Sequence, residues 1–297
     1  MTARTASPWL LAARPKTLTA SLSPVMLGTG LAVAFSPRAV PFRLAGLALA
    51  SALCIQIGSN LVNDAVDFVK GADTAERIGP VRVTQSGLLH GRHVMAGAAA
   101  FFVVAALLGI PLVLAGGAPI VVIGLLSIVA GYAYTAGPFP LAYLGLGELF
   151  VLLFYGLAAV KGMAYVLTGT GLSPWAELAA LQVGLQRSAL LAVNNTRDVE
   201  GDVLAGKRTL ADRFGSRFAR IEIAALVALP YLLGGFWIAG GHWRAAAYPL
   251  VTLPIAVRLV HGVWTEPPSR KFNVFLAQTA LLQVLFCALA ALGLVLR

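Results

Sequence analysis

The segment LAGLALASALCIQIGSNLVNDAVD, residues 44–67, joins a long apolar run to a pair of acidic side chains. Residues 44–63 carry no charge, and a helix that crosses a bilayer needs about 20 predominantly apolar residues. Asp64 and Asp67 follow directly, and Asp73 and Glu76 complete a cluster of four acids. The segment therefore predicts a membrane-spanning helix that ends in carboxylates.

The rest of the chain has the same apolar character. Its 297 residues are 59% hydrophobic and only 11% charged, whereas soluble globular proteins are usually about 25% charged. The apolar runs are continuous rather than alternating, which favours helices over barrel strands. We expect an all-α polytopic membrane protein in which residues 1–297 form one transmembrane domain, a single bundle with nine spans at 17–35, 44–63, 94–115, 118–136, 141–167, 176–195, 219–241, 244–264 and 272–296.

The basic residues assign a side to each loop. Nine spans put the termini on opposite sides, and only four of the 22 lysines and arginines, Arg38, Arg43, Arg244 and Arg297, fall on the side of the C-terminus. Lys161 and Arg187 lie within spans, and the other sixteen lie on the side of the N-terminus. The positive-inside rule makes that side cytoplasmic. Juxtamembrane charge explains the net charge of +10, so we expect no nucleic-acid partner.

The acidic residues gather in two places on the predicted cytoplasmic side. The second cluster lies in NNTRDVEGDVLAGKRTLADRFG, residues 194–215, and the two clusters hold eight of the twelve acids: Asp64, Asp67, Asp73, Glu76, Asp198, Glu200, Asp202 and Asp212. Side chains three or four residues apart share a helix face. Two helices are therefore predicted to carry matching polar faces, one with Gln56, Asn60, Asp64 and Asp67, the other with Asn194, Asp198 and Asp202.

This combination of residues indicates a diphosphate site. Mg²⁺ prefers hard oxygen ligands and takes one or two carboxylates together with waters and substrate phosphates. Basic side chains that can bind phosphate stand in the same two motifs: Lys70, Arg82, Arg197, Lys207 and Arg208. The alternative is a pair of solvated loops with chance acid clusters, but two clusters with matching faces and sidedness disfavour it.

The motifs NDAVD, residues 63–67, and DVEGD, residues 198–202, resemble the two aspartate-rich motifs of the UbiA-type intramembrane prenyltransferases. With residues 13–32, 63–89 and 134–151, the chain is most similar to the branch that prenylates 1,4-dihydroxy-2-naphthoate in menaquinone biosynthesis. The KGAD form, residues 70–73, is the naphthoate branch's version of the first motif. The resemblance implies nine helices, a long-chain prenyl diphosphate donor held through Mg²⁺ and an aromatic acceptor.

The resemblance also implies roles for individual residues. Asp64, Asp67, Asp198 and Asp202 would be catalytic as Mg²⁺ ligands, with Asn60, Asn63 and Asn194 as supporting oxygens. Asp73 would ligate the metal or orient Lys70. The diphosphate charge would be met by Lys70, Lys207 and Arg208, with Arg82 and Arg197 as further candidates. The enzyme would lie in the bacterial cytoplasmic membrane, with its site facing the cytoplasm and the prenyl tail reaching lipid.

Several alternatives stay open at this point. The acceptor would instead be 4-hydroxybenzoate, homogentisate or a chlorophyllide in another branch, which the KGAD and GKRTLA forms disfavour. A transporter of a phosphorylated lipid is a different class, but its polar groups would lie at the midplane. Arg187, a charge within a span, would pair with Glu148 or bind an acceptor carboxylate.

Overall fold

The computed structural model describes residues 7–73, 78–170 and 174–296, and these ranges contain helices and connecting turns but no strand. Glu76 and Arg297, which are named in the sequence analysis, lie outside the described residues, as do Arg4 and Arg77, two of the sixteen basic residues assigned to the side of the N-terminus. The predicted all-α class is thus confirmed for the part of the chain that the structure describes.

Helices begin repeatedly at proline. Pro8, Pro15 and Pro174 each occupy the start of a helix, where the missing N–H would have no intrahelical partner anyway. In chain order the helices are α1 (Pro8–Ala13), α2 (Pro15–Phe35), α3 (Phe42–Val69), α4 (Gly91–Gly116), α5 (Ala118–Ala133), α6 (Gly147–Val151), α7 (Gly162–Thr168), α8 (Pro174–Leu204), α9 (Leu210–Leu232), α10 (Gly234–Ala239), α11 (Trp243–Ala247), α12 (Leu253–Thr265) and α13 (Phe272–Val295). A π-helical segment, Leu152–Lys161, connects α6 to α7, and a 3₁₀ turn, Tyr248–Thr252, connects α11 to α12.

Seven helical stretches in the described ranges are long and apolar enough to cross a membrane. Two of the nine predicted spans do not meet that measure. The helix at 118–133 has 16 residues, and α8 is long enough at 31 residues but carries many polar side chains. The structure therefore confirms a multi-span helical protein, while the count of nine remains a prediction.

Asp64, Asp67, Asp198 and Asp202 lie on helices, as their three- and four-residue spacing predicts, although they lie past the predicted ends of the spans. Helix α3 continues six residues past its predicted end, so that Asp64 and Asp67 occupy its last turns. Helix α8 likewise continues to Leu204 and carries Asp198 and Asp202. Each acid therefore has a fixed direction along its helix.

The π-helical segment lies against α8 at two glycines. A Cβ added at Gly156 would lie 2.6 Å from the carbonyl oxygen of Ala180, and one at Gly184 would lie 3.1 Å from that of Leu152. Small residues allow membrane helices to approach this closely. The contact sets the position of the neighbouring Tyr155, which faces the cavity described next.

Candidate active site

A cavity of about 580 Å³ lies between α3, α5, the helix at 147–161 and α8. This volume is within the usual range for small-molecule sites, about 300–1,000 Å³. Ten of the predicted site residues line it: Asn60, Asn63, Asp67, Arg82, Arg187, Asn194, Arg197, Asp198, Asp202 and Lys207. The other four, Asp64, Lys70, Asp73 and Arg208, do not line it.

Lys207 connects the two acidic motifs. Its Nζ lies 3.7 Å from an Asp67 carboxylate oxygen and 3.3 Å from an Asp202 oxygen. Asp67 also lies 3.5 Å from the Arg82 guanidinium and accepts a 3.0 Å hydrogen bond from the Tyr143 hydroxyl. Both carboxylates are buried. The fold thus brings carboxylates from α3 and α8 together around one lysine.

Asp202 lies beyond the predicted sixth span, close to the end of α8. Burial raises the pKa of this carboxyl to about 6, and the neighbouring Lys207 ammonium opposes the rise. An additional positive charge beside Asp202 would therefore favour its ionised form.

Arg197 is committed to protein partners. Its guanidinium donates to both Asp198 oxygens at 2.7 and 2.5 Å, to Asn194 at 2.9 Å and to the Asn273 side-chain oxygen at 2.7 Å. Such a fork fixes a carboxylate in direction as well as in position. The contacts place Asp198 on the cavity wall and favour a positioning role for Arg197 over the predicted contact with diphosphate.

Asp64 and Asp73 organise the segment that follows α3. The two Asp64 oxygens accept hydrogen bonds from the backbone N–H groups of Val83 and Thr84, at 3.2 and 2.9 Å, and Asp64 is 1% exposed. Asp73 pairs with Arg82, with Nε–O distances of 3.2 and 3.0 Å. These contacts favour a structural role for Asp64 and direct Arg82 towards Asp67. They give no support to the predicted metal ligation by Asp64.

Asp73 was predicted to ligate the metal or orient Lys70, but Lys70 is oriented by other groups. Its Nζ donates to the Thr135 carbonyl at 2.7 Å and lies 4.4 Å from the centre of the Tyr143 ring. Arg208 is exposed and contacts Tyr143 through its backbone N–H, at 3.2 Å. These contacts give no support to the diphosphate role that the resemblance implies for Lys70 and Arg208.

The amide side chains join helices at the edge of the cavity. Asn60 donates to the Ala13 carbonyl at 2.9 Å and to the Thr17 hydroxyl at 3.0 Å. Asn63 accepts from the Thr135 hydroxyl at 2.7 Å. Sequence reasoning missed Thr135 and Asn273, because a threonine in a loop and an asparagine at the start of a generic apolar helix carry no motif.

Within the described residues, no group of three His, Cys, Asp or Glu side chains forms a ready-made metal centre. Mg²⁺, however, commonly takes only one or two carboxylates and completes its shell with water and phosphate oxygens. Asp67, Asp198 and Asp202 line the same cavity, where one or two of them would supply carboxylate oxygens to such an ion. His90 and His93, which have helical spacing, lie outside the cavity lining.

The inner end of the cavity is aromatic with a few polar groups. Phe150 and Phe154 stack with ring centres 6.0 Å apart, and Tyr134 and Tyr155 line the same region. The Tyr155 hydroxyl donates to the side-chain amide oxygen of Gln56. A charged group at the mouth and rings at the inner end suit a substrate with a polar head and an apolar body.

Comparison with known proteins identifies the family to which the chain belongs. Residues 21–285 match the UbiA prenyltransferase family. The chain is 35% identical over 286 residues to a 1,4-dihydroxy-2-naphthoate octaprenyltransferase of Mycobacterium tuberculosis, covering 96% of this chain and 95% of the relative. It is 39% identical over 228 residues to the enzyme of that name from Escherichia coli strain K12, covering 74% and 72%.

The fold agrees with the sequence matches. A UbiA homologue from Archaeoglobus fulgidus, solved with DMAPP and Mg²⁺, superposes with a TM-score of 0.68 over 97% of this chain and 99% of that one, at 17% identity. The family match covers most of the chain, and the relatives match along nearly its whole length. The two acid-bearing helices around one cavity agree with these matches. The chain therefore belongs to the UbiA prenyltransferase family.

Proposed function

We propose that the protein transfers a prenyl group from a long-chain prenyl diphosphate to 1,4-dihydroxy-2-naphthoate, with loss of CO₂, and so makes a demethylmenaquinol for menaquinone biosynthesis. The names of the relatives from Mycobacterium tuberculosis and Escherichia coli support this acceptor. The structural observation that carries the reaction class is the contact of Lys207 with Asp67 and Asp202, which joins the two motifs at one cavity.

The site residues divide into metal and phosphate groups. Asp67, Asp198 and Asp202 would hold Mg²⁺, which would supply charge neutralisation at the diphosphate oxygens. Lys207 and Arg82 line the same region and stabilise the negative charge that develops on the leaving diphosphate. Tyr143 orients Asp67 through its hydroxyl. The solved homologue bound to DMAPP and Mg²⁺ supports a prenyl diphosphate and Mg²⁺ as the ligands of this site.

The bond changes balance without any other reagent. The bond between prenyl C1 and the diphosphate oxygen breaks, and its electron pair leaves with diphosphate. A C–C bond forms at the ring carbon that bears the carboxylate. The carboxylate then departs as CO₂ and returns its bonding pair to the ring. No ring proton has to be removed, and nothing is oxidised or reduced.

The inner cavity protects the electron-deficient prenyl carbon. Water would convert that carbon to an alcohol, so a dry environment is required. The lining rings Tyr134, Phe150, Phe154 and Tyr155 exclude water, and aromatic faces stabilise positive charge. Residues 1–297 would form one transmembrane domain in the bacterial cytoplasmic membrane, with the site facing the cytoplasm. The prenyl tail of the donor would extend towards lipid.

A carboxyl-labelled acceptor tests the proposal. Purified protein with Mg²⁺, long-chain prenyl diphosphate and naphthoate labelled in its carboxyl carbon is expected to release labelled CO₂ and prenylated product in equal amounts. A prenylated product that keeps the label would disprove the decarboxylating reaction. Consumption of 4-hydroxybenzoate alone would assign the protein to another branch, because that acceptor is prenylated beside its hydroxyl and keeps its carboxylate.

A further inference from the structure

Arg187 is the cation at the inner end of the cavity, on α8 and far from the diphosphate groups. It stands eleven residues before Asp198, which corresponds to about 16 Å along an α-helix. Its guanidinium carbon lies 4.7 Å from the centre of the Tyr155 ring. Because Arg187 lines the cavity, a ligand there can reach it.

Part of the Arg187 guanidinium makes no hydrogen bond to the described residues. Its Nε and Nη1 atoms are buried and have no hydrogen-bond partner among the described residues. A charged donor buried without a partner is costly, and charges inside a membrane protein are usually paired or functional. The nitrogens therefore indicate an anionic ligand.

Glu148 does not supply that anion. It accepts a 2.8 Å hydrogen bond from the Asn195 side chain, and the Arg187–Glu148 pair considered from the sequence is not among the ion pairs of the described residues. Tyr155 also contacts Gln56, which is neutral. The described protein groups thus leave Nε and Nη1 of Arg187 without an acceptor, and the carboxylate of a bound ligand would supply one.

We propose that Arg187 binds the carboxylate of the aromatic acceptor and so selects aromatic acids over neutral phenols. The Tyr155 ring, over which the guanidinium lies, holds Arg187 in place. The proposal rests on the proposed function, because it assigns the acceptor end of that same site. Arginine presents two parallel N–H groups to a carboxylate, and the Tyr155 face keeps the fork planar and in position. The 16 Å of helix between Arg187 and Asp198 leaves room for a bicyclic acid beside the prenyl diphosphate head.

Replacement of the guanidinium by an apolar chain of similar length provides the test. Arg187→Met is expected to raise the KM for the naphthoate about 10- to 100-fold, or about 1.4–2.8 kcal/mol, because a hydrogen bond between charged groups is lost. The KM for the prenyl diphosphate is expected to stay within about twofold. Arg187→Lys keeps the charge without the fork, so its KM for the naphthoate is expected to lie between those of the wild type and Arg187→Met.

A matched control removes Lys161, another cation within a predicted span. Lys161 pairs at 3.0 Å with Glu177, both side chains are exposed, and neither residue lines the cavity. Lys161→Met should therefore keep the acceptor KM of the wild type. Thermal unfolding of each variant in detergent establishes that it is folded.

Binding of non-substrate ligands separates this proposal from the proposed function. Wild-type protein should bind 1-hydroxy-2-naphthoate more tightly than 1-naphthol in a competition assay, and Arg187→Met should lose that preference while Lys161→Met retains it. An unchanged preference in folded Arg187→Met, or equal rises in both KM values, overturns the role of Arg187. Absence of any product from the naphthoate with wild-type protein would overturn the proposed function instead, whatever the ligand preference.

Discussion

At the scale of single residues, two acids three positions apart have different surroundings. Asp64 accepts backbone N–H groups of Val83 and Thr84, whereas Asp67 is surrounded by Arg82, Lys207 and Tyr143 at the cavity. The sequence predicts that both lie on one helix face. It does not predict the difference, because the partners of Asp64 are backbone groups of a distant loop whose path depends on tertiary packing.

Asp64→Ala is expected to destabilise the protein. Two buried N–H groups would lose their acceptor, and an unsatisfied buried group costs about 1–3 kcal/mol. Thermal unfolding in detergent measures the loss. If Asp64→Ala unfolds like the wild type and has only lost its response to Mg²⁺, Asp64 belongs with the metal ligands after all.

Asp67→Ala, Asp198→Ala and Asp202→Ala are each expected to remove most turnover and leave a folded protein, because each deletes an oxygen at the proposed metal site. EDTA should have the same effect, reversed by added Mg²⁺. Turnover with saturating substrates is the measurement. Full activity in any two of these variants is incompatible with the metal assignment.

At the scale of helices, the apolar runs predict where most elements lie, and the structure adds what periodicity does not reveal. The acid-bearing turns of α3 and α8 lie beyond the predicted span ends, and both helices continue through them, as the spacing of the acids predicted. The π-helical segment was not predicted, since its extra residue per turn leaves no mark in composition. The side-chain stripe of Gln56, Asn60 and Asp67 was predicted from spacing alone, and Arg187 on the cavity wall was singled out as an intramembrane charge.

Gly156→Ala is expected to lower stability and raise the acceptor KM. The new methyl group would lie 2.6 Å from the Ala180 carbonyl, so the π-helical segment must move away from α8 and carry Tyr155 with it. Gly109→Ala in α4 is the matched control, because nothing lies within 4 Å of its Cβ position. Thermal unfolding and steady-state kinetics measure both effects. A Gly156→Ala protein that behaves like Gly109→Ala would show that the close approach is unimportant.

At the scale of the whole molecule, the excess of basic residues on one side predicts the orientation of the site. A cysteine introduced at Ala72 or Ala205, each beside one acidic motif, should react with a membrane-impermeant thiol reagent only from the cytoplasmic side. The natural Cys54 and Cys287 lie within helices, and a variant that lacks both provides the background. Labelling of either new cysteine from outside intact cells would reverse the orientation.

The sharing of Lys207 between Asp67 and Asp202 has a consequence for biogenesis. The two acids are supplied by α3 and α8, so that about two thirds of the chain must be synthesised before both are present. During insertion, Asp67 of α3 therefore lacks its Lys207 contact until the turn after α8 is synthesised, although its other cation, Arg82, is already present. Until α8 and the turn after it are synthesised, the nascent protein lacks the second acidic motif of the proposed site. A ribosome that stalls before this point therefore leaves a membrane-spanning fragment without the complete proposed site.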